Sequence, residues 1–125
     1  MRKVVFFVLA VAAVGCAPTP IEVCKSGIDT QCTRLFECSP DAVKSSATFQ
    51  GIYGTSVTDC KTKLEAFAKC DERKNYDEGC TGTSAGKKYD LFKAGDCKTA
   101  IKALSCADFL DQPAKTPAVC AEVCK

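Results

Sequence analysis

The sequence predicts a small all-α domain, a disulfide-stapled bundle of roughly four to six short helices. Three observations lead there. Eleven of the 125 residues are cysteine, a density that in an exported chain marks a disulfide scaffold. Apolar residues and cysteines recur at helical spacing in several segments, each opened by a Ser, Thr, Asp or Pro start signal. No segment shows the sustained alternation of a strand.

The N-terminal stretch stands apart from that domain. Arg2 and Lys3 precede an uncharged apolar run from Val4 to Val14. The run fits a signal-peptide core and is too short to cross a bilayer as a helix. It ends in Ala13-Val14-Gly15-Cys16, which resembles the lipobox of bacterial lipoproteins, with Ala13 where Leu is usual. That resemblance implies that the Cys16 thiol receives a diacylglyceryl group, that the chain is cut before Cys16, and that the new amine is acylated with a fatty acid such as palmitate. Cysteine parity agrees. With Cys16 carrying lipid, ten cysteines remain, an even number suited to five bridges. An ordinary secretory signal would instead leave Cys16 unpaired in an oxidising space.

The predicted organisation is therefore a signal segment over 1–15, a lipidated N-terminus and short tether over 16–23, and a cysteine-rich helical domain over 24–125. Removing fifteen residues from the 125 leaves 110, the size of one domain. The formal charge of +2 resides in Arg2 and Lys3, so the remainder carries 15 basic and 15 acidic side chains. A neutral chain gives no electrostatic reason to expect nucleic acid as a partner. The expected partners are the lipid bilayer, reached through acylated Cys16, and an envelope or extracellular protein. In lipoproteins of enteric bacteria, Ala17 rather than Asp after the lipid-bearing cysteine implies sorting to the outer membrane, on its periplasmic or surface face. Ala17-Pro18-Thr19-Pro20 reads as a stiff, extended tether.

The remaining cysteines are Cys24, Cys32, Cys38, Cys60, Cys70, Cys80, Cys97, Cys106, Cys120 and Cys124. No Cys-x-x-Cys occurs, and histidine is absent. Zinc ribbons, C2H2 fingers, thioredoxin-type pairs and haem attachment therefore lack their spacing or ligands. The expectation is structural bridges, with no metal and no cofactor. Ten cysteines permit about 945 connectivities.

Two segments repeat. Asp59-Cys60-Lys61-Thr62 opens a run containing Leu64, Phe67 and Cys70, and Asp96-Cys97-Lys98-Thr99 opens one containing Ile101, Leu104 and Cys106. Cys60, Leu64 and Phe67 share a helical stripe, as do Cys97, Ile101 and Leu104. The repeat predicts two equivalent helices. If they pack antiparallel, Cys60–Cys106 and Cys70–Cys97 are candidate bridges. Asp59–Lys63 and Glu65–Lys69 are i,i+4 pairs of favourable order, and Ser56-x-x-Asp59 resembles a capping box.

Punctuation supplies the other elements. Asp29 or Thr30 is expected to cap a helix carrying Cys32, Leu35, Phe36 and Cys38. Ser39-Pro40-Asp41 starts a short helix to about Thr48. Ser105-x-x-Asp108 restarts the chain after the second repeat. Thr116-Pro117 starts a last helix with Cys120 and Cys124 on one face, each bridging to a different helix. Phe49 to Thr55 and Asn75 to Lys88 read as loops, the second pinned by Cys80.

These features together resemble small cysteine-rich lipoproteins abundant in myxobacteria and related bacteria. The residues that carry the resemblance are the lipobox, Cys32-x-x-Leu35-Phe36-x-Cys38-Ser39-Pro40, Tyr89-Asp90 leading to Cys97 and Ala103-Leu104-Ser105-Cys106, and Pro117-Ala118-x-Cys120-x-x-x-Cys124. The resemblance implies address and fold, and carries no catalytic or binding residue across.

No catalytic constellation emerges. Without histidine, Ser-His-Asp and Cys-His arrangements cannot form, and the expectation is a protein that is not an enzyme. Asp71-Glu72 and Asp77-Glu78 read as a solvated loop, with a weak calcium site as the sharper alternative; the spacing is not that of an EF-hand. Gly82 to Lys88 departs from a phosphate-binding loop in spacing and at Lys88. Phe49, Ile52 and Tyr53 are the candidate partner contact if their loop is exposed. The expected function is a non-enzymatic binding or structural module of the cell envelope. The alternative is a carrier of an apolar ligand, enclosed by Leu64, Phe67, Ile101 and Leu104.

Overall fold

A computed structural model describes residues 16–125; the signal-segment reading of 1–15 lies outside the described residues. Six α-helices follow one another: α1 (Pro20–Cys38), α2 (Asp41–Lys44), α3 (Ala47–Tyr53), α4 (Val57–Phe67), α5 (Leu91–Ala103) and α6 (Cys106–Leu110). Short 3-10 turns lie at Cys70–Glu72, Tyr76–Gly79, Gly82–Ser84 and Ala118–Glu122. Among the described residues the only β pairing is an isolated antiparallel bridge between Tyr89 and Cys124. The chain is the disulfide-stapled all-α fold that the sequence predicts.

The 19-residue α1 is the spine, and it starts ten residues before the expected Asp29 or Thr30. Thr19 is its N-cap: the hydroxyl accepts from the Glu22 backbone N–H, and the Glu22 carboxylate accepts from the Thr19 N–H. Pro20 occupies the first helical position, where its missing N–H costs nothing. The tether is therefore only 16–19, and 20–23 belong to the helix. Thr30 sits mid-helix, its hydroxyl donating to the Ser26 carbonyl.

Cys24, Cys32 and Cys38 fall within about 120° of arc on α1, and each bonds outward from it. Cys24 joins Cys70, Cys32 joins Cys60, and Cys38 joins Cys106. Cys80–Cys124 and Cys97–Cys120 complete the five. The candidate bridges Cys60–Cys106 and Cys70–Cys97 are not formed. The repeat helices do not staple each other because α1 takes three of their four cysteines. Nor are they equivalent: α4 packs on α1, whereas α5 packs chiefly on the final 3-10 turn.

Sulfur dominates the core. Of the six buried apolar residues, Ile28, Cys32, Phe49, Cys60, Cys70 and Cys80, four are cysteines. Cys24, Phe36, Tyr53, Val57, Leu64 and Ala68 pack around Ile28, Cys32, Cys60 and Cys70. So small a core stabilises a chain of this size weakly, and the bridges supply the difference. Five disulfides also mark an oxidising, exported environment.

Residues 49–53, expected as loop, are helical. Ser46 caps α3 by accepting from the Phe49 N–H, and Ser45-Ser46 ends α2 at Lys44 rather than near Thr48. Gly54 then turns the chain at φ +79°, where any Cβ would collide with the Asp59 side chain. Ser56 caps α4 as expected, but the Asp59 carboxylate accepts from the N–H and hydroxyl of Thr55 rather than reaching Ser56 N–H. Lys63 pairs with neither Asp59 nor Glu65; its amine donates to the Gln50 and Gly51 carbonyls at the end of α3. Lys69 approaches Glu72 rather than Glu65. Ser105 caps α6 as expected. The last helix is a 3-10 turn, and Cys124 lies beyond it beside Tyr89.

Gly27, inside α1, faces open space: a Cβ there meets nothing within 4 Å. Gly27→Ala is expected to raise stability by about 0.5–1 kcal/mol, because glycine loses more backbone freedom on entering a helix. Guanidinium unfolding checks it. An unchanged or lower midpoint would contradict the helical placement of Gly27.

Candidate functional site

Cys16 is exposed and is the one cysteine among the described residues outside a disulfide. It lies three residues from the N-cap of α1, and the segment between is held down. The Tyr76 hydroxyl donates to the Pro18 carbonyl at 2.6 Å, and Tyr76 stacks on Tyr89, with ring centroids 6.3 Å apart. What the sequence presents as a stiff, extended tether is pinned against the body by an aromatic pair from the 75–89 segment. No helix among the described residues is long and apolar enough to cross a membrane.

The structure separates the three candidate contact residues. Phe49 is buried, packing edge-on against Phe36 at 5.3 Å and against Tyr53 at 5.0 Å. It is core and unavailable to a partner, because α3 packs on α4 and turns Phe49 toward Phe36 of α1. Tyr53 is half-buried, while Ile52 is exposed.

Three clefts open beside α1, and two of them bear on the candidate sites. One, of about 300 Å³, is lined by Cys32 and Leu35 of α1, Tyr53, Leu64, Ile101 and Phe109. It brings together two of the four residues expected around an apolar ligand, Leu64 and Ile101. Phe67 is 87 % exposed at the end of α4, and Leu104 lies outside the lining. Neither helps to enclose the cleft. At its edge Arg34, which sequence reasoning overlooks, ties α1 to the α5–α6 corner. Its guanidinium donates to the Leu104 carbonyl at 2.6 Å, pairs with Glu37 at 2.9 Å and lies 5.6 Å from the centre of the Phe109 ring. The second cleft lies between the start of α1 and the start of α5, beside Ala17 and Pro18.

The acidic pairs are dispersed among separate partners. Asp71 pairs with Lys25 at 2.7 Å. Asp77 accepts from Lys88 and from the Tyr89 N–H. Glu78 accepts from the Lys74 N–H and the Asn75 amide. Among the described residues no three His, Cys, Asp or Glu side chains gather in a group able to hold a metal. The calcium alternative thus lacks a converging donor set. Gly82–Ser84 forms a 3-10 turn, at φ +59° for Gly82.

Local hydrogen bonds set the titration behaviour. Those from Thr19 hold the Glu22 carboxyl below its ordinary value, those from Thr55 do so for Asp59, Lys88 then Tyr89 for Asp77, and Lys93 then Lys125 for Glu122. Bonds to Asp71, Asp29, Asp77 and Glu122 raise the amines of Lys25, Lys61, Lys88 and Lys93. Depressed carboxyls contribute stability above their unfolded values, near pH 4, and lose it as pH falls through the lower folded ones. Raised lysines contribute below about pH 10.5 and lose it as pH rises through the folded values. With no histidine to titrate between, the melting temperature is expected to be flat from about pH 5 to 9 and to decline on either side. The slopes will be shallow because these groups are solvated. Calorimetry across pH checks this, and a break between pH 6 and 8 would contradict it.

Comparison with known proteins finds no matching family model, curated protein or solved structure.

Proposed function

We propose that the protein is an exported lipoprotein, fixed to a bacterial membrane through acylated Cys16 and acting as a non-enzymatic binding or structural module of the cell envelope. The observation that carries this reading is Cys16 itself. It is the exposed, unpaired cysteine beside ten that pair, and it directly follows a signal-like apolar segment. An oxidising compartment favours pairing every structural cysteine, so a leftover at this position has a chemical use. The lipobox and the resemblance to small cysteine-rich lipoproteins support the same address, and Ala17 supports the outer membrane. The lack of any histidine in the sequence removes the Ser-His-Asp and Cys-His arrangements, which supports a binding or structural role.

The test is the intact mass of protein extracted from its own membranes. The expected value is Cys16–Lys125 with acyl groups added and two hydrogens missing for each of the five bridges. An unlipidated mass, or free thiols beyond Cys16, would overturn the reading.

A second reading, carriage of an apolar ligand, is favoured by the cleft containing Leu64 and Ile101, whose volume lies at the lower end of ligand pockets. Lipid recovered in organic extracts of a Cys16→Ser protein would support it. A consistently empty protein would sink it.

A further inference from the structure

The second cleft is a predominantly apolar groove of about 860 Å³ between the N-terminal part of α1 and the start of α5. Ala17 and Pro18 form one end, Val23 lines one wall, and Leu91 and Phe92 line the other. Phe92 is 86 % exposed. A fully solvated phenylalanine at the lip of an apolar groove needs a reason, since large exposed apolar features commonly mark interaction sites.

The position of Cys16 supplies one. Only Ala17 stands between Cys16 and Pro18, so the two are at most about 7 Å apart. Pro18 itself is tied down through Tyr76. Whatever Cys16 carries therefore begins beside this groove. The opposite choice, a long flexible tether that lets the domain tumble freely, is not built here.

We propose that this face, with Phe92 standing at the lip of its groove, is the surface the domain lays against the phospholipid bilayer, and that Phe92 inserts at the boundary between headgroups and acyl chains. The proposal rests on the reading of Cys16 as the lipid anchor. With acyl chains in the membrane, the Cys16 backbone sits at the interface, and a groove within about 7 Å of it falls in the depth that interfacial apolar faces occupy. Aromatic rings are favoured there. Docking need not be strong by itself, because the anchor makes it an intramolecular event at high effective concentration.

The balanced charge of the chain after Gly15 gives no general attraction to anionic lipid. The charged groups of the lining are mixed in sign and locally engaged: Glu22 accepts from the Thr19 N–H, Lys98 donates to the Ser26 hydroxyl at 2.9 Å, and Asp96 faces Lys93, which pairs with Glu122 at 3.0 Å. Docking is accordingly apolar and insensitive to salt.

The chain contains no tryptophan, so Phe92→Trp introduces a single fluorophore at a solvated position. Phe67→Trp does the same at an equally exposed site outside the groove. Both full-length variants are made in a bacterial host that processes lipoproteins. Mass establishes acylation and the five bridges, and the protein is placed in vesicles of phosphatidylcholine and phosphatidylglycerol with or without brominated chains.

The expected result for Phe92→Trp is blue-shifted emission, loss of most of its intensity in brominated vesicles, and no change with added salt. Phe67→Trp is expected to stay solvent-like and unquenched. Solvent-like, unquenched emission from an acylated Phe92→Trp protein would overturn the docking face and leave the anchor standing. Equal quenching of both variants would overturn the assignment to this face. A mass without acyl groups would overturn the anchor, and this inference with it.

Discussion

Replacing Cys32 and Cys60 together by alanine is expected to lower stability by about 3–5 kcal/mol, much of what a domain of this size has. The bridge closes a separation of 28 residues, for which restriction of the unfolded chain alone predicts about 3.5 kcal/mol. The rest comes from packing. Both residues are fully buried at the centre of the core cluster, so losing the sulfurs leaves a void between α1 and α4. Removing Cys97 and Cys120, at a separation of 23 and only half-buried, is expected to cost about 3.4 kcal/mol, nearly all of it from the unfolded chain and little from packing. Guanidinium unfolding of the two double variants compares them directly. Equal losses would show that the central bridge acts through the unfolded chain alone and that sulfur packing contributes nothing.

The second large effect concerns location. Cys16→Ser, exported behind an ordinary secretory signal in place of residues 1–15, is expected to move the protein from the membrane fraction to the soluble fraction almost completely, a change of several orders of magnitude in partitioning, because two or three acyl chains anchor the domain and none remain. Its melting temperature should stay as it was, since Cys16 takes part in no bridge and is exposed. Fractionation and calorimetry on the same preparation separate anchoring from folding. A serine variant that remains with the membranes would place the attachment elsewhere.

Much of the helical framework can be read from local signals that name their own partners. Ser56 and Ser105 cap the helices they precede, and Cys80 pins the 75–88 segment through a bridge. The start of α1 is harder to read because Thr19-Pro20-x-Glu22 carries two opposite meanings. Flanking prolines suggest extended chain, whereas threonine, N1 proline and N3 glutamate suggest a helix start, and the reciprocal Thr19–Glu22 bonds decide for the helix. Residues 49–53 read as loop because Gly51 and Gly54 bracket Ile52 and Tyr53. Gly51 is exposed and open enough to be tolerated in a helix, and Ser46 provides the cap. The pairing of cysteines lies beyond spacing altogether. It depends on the three that α1 presents on one side, and that face appears only once the helix is known to begin at Pro20.

The same is true of the candidate sites. Cys16 stands out by parity and by the apolar run before it. Nothing local marks Phe92 as exposed and Phe49 as buried, since both are aromatic residues among small and polar neighbours. Their fates depend on which side of its own helix each occupies once α3 packs on α4 and α5 on α1 and the final 3-10 turn.

The bridges also form a graph with a single crossing. Cys24–Cys70 and Cys32–Cys60 close on themselves within the first part of the chain, and Cys80–Cys124 and Cys97–Cys120 within the second. Only Cys38–Cys106 joins the two. That one edge is enough: a single backbone cut anywhere between Cys24 and Cys124 leaves every piece covalently attached. Such a wound is silent until the protein is reduced. One short stretch escapes this protection, the residues between Cys16 and Cys24, where scission parts the domain from whatever Cys16 carries. Most of that stretch is helix from Pro20 onward, so the non-helical bonds are those around Ala17, Pro18 and Thr19, open to attack only when that face is off the bilayer. A protease in the surroundings thus has two outcomes, an invisible nick or a clean release, and the choice rests on a few peptide bonds beside two prolines.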